Sequence, residues 1–168
     1  MREILFKAKR IDNGEWIEGN LVFLFPKKVH EAFIIPIKFG NAFMQLREGD
    51  LGFRYWYKVD KETLCQFTGL CDKNRNKIWK NDILMCHGNP EDLVKVAFGE
   101  FGVRNIETGS IVDKVIGWYY EVVPTDVISR CEPFCWSMPL TKDYICRCEM
   151  EVVGNIFDNK ELLQGGIR

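Results

Sequence analysis

The first ten positions alternate in character, with Ile4, Phe6 and Ala8 set against Glu3, Lys7 and Lys9. A period of two predicts a strand with one buried face. Asp12-Asn13-Gly14 supplies a turn, and Trp16 to Phe25 a second strand stopped by Pro26. The chain therefore opens on a predicted hairpin. Phe33-Ile34-Ile35-Pro36-Ile37 predicts a further strand, whose proline lacks a ladder donor and so places it at a sheet edge. Phe53, Tyr55, Tyr57 and Val59 alternate with Arg54, Trp56 and Lys58, a strand with one aromatic side.

The stretch Val59 to Leu84 is the predicted crossing point of the chain. Asp60 is placed to cap a short turn through Thr63 and Leu64. Asp72-Lys73-Asn74-Arg75-Asn76 is a polar run between Phe67/Leu70 and Ile78/Trp79, the pattern of a tight reversal, because Asp and Asn bond to their own main chain. Gly69, Asp72, Asn74 and Asp82 are the expected structural turn residues. Gly69 is the permissive hinge, and the Asp82 carboxylate ties the turn that feeds a central strand, Ile83 to Cys86.

Beyond it, His87 to Asp92 reads as a loop and Leu93 to Phe98 as a strand reversed by Gly99 to Gly102. Val103 to Ile106 is a short strand, Glu107 to Ser110 a turn, and Ile111 to Glu121 an ambiguous apolar segment. The pattern lapses from Pro124 to Thr141, with one helical turn at Asp126 to Arg130. Tyr144 to Cys148 resumes as a strand, and Glu151 to Phe157 closes the sheet. Asp158 and Glu161 are spaced like a capping box, and residues 164–168 form a frayed tail. Short strands at this spacing indicate a small barrel or sandwich.

Composition narrows the function classes. With 23 basic and 24 acidic residues the formal net charge is -1, which gives no general attraction for nucleic acid or anionic lipid. Residues 1–80 nevertheless hold 15 Lys/Arg against 10 Asp/Glu, and residues 81–168 hold 8 against 14. No signal-like segment or membrane-spanning apolar run is present, so a cytoplasmic protein without membrane contact is expected. Seven cysteines, an odd number, then read as reduced thiols.

Candidate chemistry is sparse. Cys131, Cys135, Cys146 and Cys148 are the nearest approach to a metal site, although the Cys146-x-Cys148 spacing is too close for an ordinary zinc knuckle. His30 and His87 are distant spare ligands. Convergence of Asp60, Asp72 and Asp82 on a divalent metal would suit a hydrolase, yet turn capping accounts for each of them. Arg54, Trp56 and Lys58, with Lys73 and Arg75 in the reversal, interleave basic and aromatic groups as nucleic-acid binders do. No phosphate-binding glycine loop or nucleophile elbow occurs. No cofactor and no catalytic residue are therefore expected.

Three separated motifs carry a resemblance: Gln66-Phe67-Thr68-Gly69-Leu70-Cys71-Asp72-Lys73-Asn74, then Ile78-Trp79-Lys80-Asn81-Asp82-Ile83, and Val153-Gly154-Asn155-Ile156-Phe157 continuing to Leu163. With the opening Arg2 to Ala8 they resemble the YopX family of phage and prophage proteins. Asn76 and Asn81 stand where that family often has glycine. The resemblance implies a mainly β fold: an N-terminal β hairpin and sheet packed against an SH3-like, partly open barrel, with only short helical turns. It implies one compact YopX-like domain over residues 1–163, divided into an N-terminal β region of 1–58 and a hinge and barrel region of 59–163. It implies no activity. Two functions are carried forward: a non-enzymatic protein-interaction or self-assembling accessory module, and a nucleic-acid-binding accessory protein. A metal-dependent hydrolase is a remote third.

Overall fold

The computed structural model describes residues 3–24, 31–37, 43–47, 50–53, 55–105 and 107–164; the side chains of 24, 43–47 and 50–53 lie outside the description. The chain is mainly β, with two antiparallel sheets. Its contacts divide it into two compact units, Met1–Phe67 and Thr68–Arg168. The boundary falls within the stretch that the sequence marks as the crossing point.

In the first unit, β1 (Phe6–Lys9) and β2 (Trp16–Leu24) form the expected hairpin, with Phe6 opposite Gly19 and Lys9 opposite Trp16. β3 (Glu31–Pro36) pairs with β2, and the short β6 (Tyr57–Val59) pairs with β3. The expectation that Phe33 lies on an edge strand is thus corrected, since β3 sits between two neighbours. Pro36 is tolerated because it is the last residue of its strand, where a missing donor ends the ladder. The aromatic strand over 53–59 is also interrupted. β4 (Phe43–Arg47) and β5 (Asp50–Phe53) make a separate ribbon, and Tyr55 and Trp56 lie outside any strand. Ala8, Ala32, Ile34 and Val59 form the buried core. Gly19 is fixed by crowding: a Cβ there would lie 2.0 Å from the Ile35 carbonyl oxygen.

β7 (Cys65–Cys71) pairs with β1 through Gln66 and Cys65, and its later residues belong to the second unit, where β8 (Lys77–Trp79) is its neighbour. Asp60 caps the 3-10 turn Lys61–Thr63, accepting from Glu62 N. The second sheet runs β12-β11-β10-β9-β13, built from β9 (Asp82–Met85), β10 (Leu93–Arg104), β11 (Ile111–Val122), β12 (Met138–Pro139) and β13 (Glu151–Asn155). β9 is central, as expected, and is covered on both faces. Ile83 packs with Leu93 and Val123, whereas Leu84 packs with Val96, Tyr120 and Met150. Successive side chains of a strand point to opposite faces, so adjacent buried residues require cover on each.

Three expectations fail in this unit for identifiable reasons. Gly99 to Gly102 does not reverse the chain; β10 runs through it opposite Gly117 and Lys114 of β11. Segment 144–148 is not a strand. Thr141 accepts from Tyr144 N and starts a helix, α1 (Lys142–Arg147), that buries Ile145 and is followed after Cys148 by Glu149 at φ 47°. One buried residue per turn satisfies a helix as easily as a strand in so short a segment. Nor does Asp158 cap the last 3-10 turn, Lys160–Leu163, whose first flank is Asn159. Asp158 accepts instead from Asn155 Nδ2 at 3.0 Å.

The reversal between β7 and β8 is held by Asp72. Its Oδ1 accepts from Asn74 N and Asn76 N, both at 2.8 Å. Its Oδ2 accepts from Asn76 Nδ2 at 3.1 Å and from Val152 N of β13 at 3.0 Å. Arg75 takes the left-handed conformation, φ 69°, where a glycine is usual. Burial works against the ionised carboxylate, but the N–H donors outweigh it and hold its pKa below the ordinary value of 3.8.

Two stability predictions follow from these contacts. Asp72→Asn turns one acceptor oxygen into a donor facing other donors, and is expected to cost about 2–3 kcal/mol in urea denaturation at neutral pH. Because the folded pKa is depressed, this stabilisation is complete above 3.8 and is lost as pH falls through the lower folded value. The variant should lack that part of the acid slope. Gly19→Ala should lower stability by about 2 kcal/mol or more, since backbone must move to admit the methyl; an unchanged denaturation midpoint would refute the reading.

Candidate interaction arm and pocket

β10 and β11 pair over their full length, from Val94 opposite Val122 to Arg104 opposite Ile111. Their neighbours are much shorter. β9 reaches only Leu93 to Lys95, and β12 only Tyr119 and Tyr120. Among the described residues, the sheet is therefore two-stranded from Phe98 and Trp118 to the tip.

The arm is stiffened by aromatic rings set over glycines. Gly99 and Gly117 face each other across the ladder, and the nearest side-chain atoms to their missing Cβ positions belong to Tyr119 and Phe101. Those two rings stack with centroids 5.0 Å apart. On the other face Phe98 meets Trp118 edge-on at 4.9 Å. Directly opposed residues share a face, so Phe98 with Trp118 and Glu100 with Ile116 continue the face that carries Val96 and Tyr120 in the core. There the cover runs out: Phe98 is 49% exposed and Ile116 75%.

The arm's tip is the predicted turn. Asn105 Oδ1 accepts from Glu107 N and Thr108 N, and Gly109 takes φ 70°. The Arg104 guanidinium donates to Gly109 O at 2.7 Å and lies 5.2 Å from the Trp136 ring centroid. The ladder shifts register between Val103 and Arg104. Trp136 belongs to the segment after the 3-10 turn Ile128–Arg130, which forms where a helical turn is expected.

A cavity of about 290 Å³ lies within the same unit, lined in part by Val94, Tyr120 and Val122 of the sheet and by Phe134, Trp136 and Met138. Cys86, His87, Asp92, Arg104 and Cys148 complete its polar side. Burial, then the nearby Asp92 and Cys148, pushes the Cys86 thiol up to about 12. Burial likewise raises Cys148 and Asp92. Both thiols stay protonated at neutral pH, the opposite of what a nucleophilic cysteine needs.

The residues singled out from the sequence fall elsewhere. Asp72 and Asn74 stand in the reversal and Asp82 at the start of β9, where it accepts from Trp79 N at 2.8 Å, whereas Gly69, expected in a turn, lies within β7 at φ 83°. Lys58 is paired with Glu31 and Lys73 with Glu151, each at 2.5 Å. Arg75 is exposed in the reversal, and Trp56 is exposed with its ring 5.7 Å from that of Phe33. Arg54 and His30 lie outside the described residues. Cys131, Cys135 and Cys146 are exposed, whereas Cys148 lines the cavity. Among the described residues, no three His, Cys, Asp or Glu side chains are grouped to hold a metal ion. Sequence reasoning missed both the arm and the cavity, whose signals were Gly99 and Gly117 among aromatics and the unassigned 131–138 segment.

The chain's sequence places it in a family of phage and prophage proteins without an established biochemical function. The family profile for YopX protein matches residues 38–164, and the chain belongs to that family. The opening residues that resemble the family's start lie before the matched span. Among curated proteins, none matches the chain. The crystal structure of protein EF1440 from Enterococcus faecalis is similar, with a TM-score of 0.50, 20% identity, and coverage of 97% of this chain and 99% of that one. At that identity the likeness speaks to the fold alone.

Thiol accessibility checks this geometry. In the native protein, iodoacetamide should modify Cys71, Cys131, Cys135 and Cys146, which are exposed, and leave Cys65 and Cys86 unmodified until urea is added. Rapid native labelling of Cys86 would show that the cavity wall is wrongly placed.

Proposed function

We propose that the chain is a non-enzymatic protein-interaction module and that the arm of β10 and β11 is its contact element. The observation that carries this reading is the exposed pair Phe98 and Ile116 on the face that leaves the core, flanked on that face by the Lys114–Glu100 ion pair at 3.2 Å. Exposed apolar surface arranged along a strand pair favours contact with another protein. The partner is a phage or host protein, or a second copy of the chain. The strands around Phe33 and Ile83 are both interior to their sheets, which leaves the arm as the contact surface.

The same reading takes the two units as one YopX-like domain over residues 1–163, the second unit as an SH3-like, partly open barrel, and the protein as cytoplasmic. Among the described residues no helix is long and apolar enough to cross a membrane. A second reading, nucleic-acid binding through Arg54, Trp56, Lys58, Lys73 and Arg75, is supported by the exposed Trp56 ring. Its basic members Lys58 and Lys73 are already neutralised by carboxylates.

The arm is tested by light scattering across a concentration series and by capture from host and phage-infected lysates with identification of the bound protein. Self-association, or one specific partner, is expected for the native chain. Phe98→Ser with Ile116→Ser should weaken it about tenfold or more while the denaturation midpoint is kept, because hot-spot apolar residues dominate such contacts. A monodisperse monomer with no specific partner would end the proposal. Salt-sensitive retention on single-stranded or duplex DNA or RNA would favour the second reading instead.

A further inference from the structure

We propose that the outer edge of β10, from Phe98 to Arg104, pairs antiparallel with the same edge of a second copy of the chain, about a twofold axis at Gly102. This rests on the arm being the contact element and names its partner. The side to which each residue of β10 bonds is fixed at the base of the strand. Leu93 O accepts from Val123 N, on the β11 side, whereas Val96 O accepts from Asn81 N, on the β9 side. In an antiparallel strand the N–H and C=O of one residue point the same way and successive residues alternate. Odd-numbered residues of β10 therefore bond to β11, and Phe98, Glu100, Gly102 and Arg104 turn their main-chain groups outward. The bond from Asn105 N to Ser110 O keeps the same alternation at the tip. β9 pairs with β10 only from Leu93 to Lys95, so among the described residues no strand meets those outward groups.

Of the arm's two edges, that of β10 is the open one. A free edge templates pairing with another strand unless a bulge, proline or charge prevents it. β11 is bulged, because Val103 faces Asp113 while Arg104 faces Ile111, and Val112 is the extra residue. Its Lys114 N is also taken, donating to Asp113 Oδ1 at 2.7 Å. From Val96 to Arg104 β10 holds no proline, and its ladder is unbulged on its own side.

The two charges on this edge select partner and register. Opposite charges directly across a ladder attract and like charges repel. With Gly102 opposite Gly102 of the second copy, Glu100 lies opposite Arg104, and Arg104 opposite Glu100, so two ion pairs form on one face. Phe101 lies opposite Val103 on the other face. Each hydrogen-bonded pair in this register joins two outward-turned residues, as an antiparallel ladder requires. An axis at Glu100 would instead set that carboxylate against itself. Glu100 and Arg104 are both exposed. Arg104 commits one N–H to Gly109 O and keeps its other donors, and Glu100, paired with Lys114 at 3.2 Å, has a second oxygen to offer.

The test is amide hydrogen exchange by NMR on the full chain across a dilution series, with analytical ultracentrifugation of charge-exchanged variants. The amides of Glu100, Gly102 and Arg104 should exchange about tenfold or more slowly in concentrated than in dilute protein, whereas Gly99, Phe101 and Val103 stay protected throughout. Glu100→Arg and Arg104→Glu should each weaken self-association about tenfold, because like charges then face each other at both pairs. Mixing the two variants should restore it, since every charge then meets its opposite on the other copy. A structural role within one chain would give no such rescue. Absence of concentration-dependent protection at the three outward amides, or failure of the mixture to associate, overturns the proposal. Should Arg104→Glu not fold, the exchange pattern of the native chain decides. Self-association without the alternating protection, or a monomer that captures one foreign partner, overturns edge pairing and leaves the Phe98 and Ile116 contact standing. Alternating protection that persists in the Phe98→Ser, Ile116→Ser variant supports edge pairing and removes that contact instead.

Discussion

The carboxylate of Asp72 is the constraint on which the second unit depends. It accepts four hydrogen bonds, three from the reversal that follows it and one from Val152 on β13. A buried anion surrounded by N–H groups is stable in that arrangement and costly in most others, so it selects among turn conformations as well as holding one. Lys73 N donates to Met150 O beside it, and Met150 is fully buried in the main cluster. The polar reversal and the apolar core are thus fixed by adjacent residues.

This explains why Asn81 can stand where the family often has glycine, and why Arg75, next to Asn76, can take a left-handed conformation. Asn81 adopts φ 68° and Arg75 φ 69°, conformations that cost a side-chain-bearing residue about 1 kcal/mol or more. Asp72 on one side and Asp82 on the other supply carboxylates to the backbone N–H groups of these turns. Local strain is offset by charge-assisted bonds, and the turn survives the loss of its glycine.

What could be read from the sequence divides along the same line. Residues whose side chains bond to nearby backbone announced their roles: Asp60, Asp72 and Asp82 cap or tie turns as their positions suggest, and the opening hairpin follows its period of two. Failures came where tertiary contacts override local pattern. Gly99 and Gly102 looked like a reversal because nothing in their vicinity reveals Tyr119 and Phe101 lying over the glycine pair, or Ile111 against Gly102. Tyr144 to Cys148 alternates like a strand, but Thr141 starts a helix there. The cavity was illegible for a related reason. Its walls come from positions between 86 and 148, and neither Asp92 nor Trp136 has a motif around it.

The bond from Val152 N to Asp72 spans 80 positions of sequence. The hairpin of β10 and β11, by contrast, closes across a turn of a few residues. Closing a long loop must precede any gain from the contacts it brings together, so distant pairings tend to form last. The arm is therefore an early element of the folding route, and the docking of β13 on β9 a late one. Molecules caught between these events would hold a formed arm beside an unsealed core edge, a state in which the chain is most open to joining its neighbours or to assistance by a chaperone.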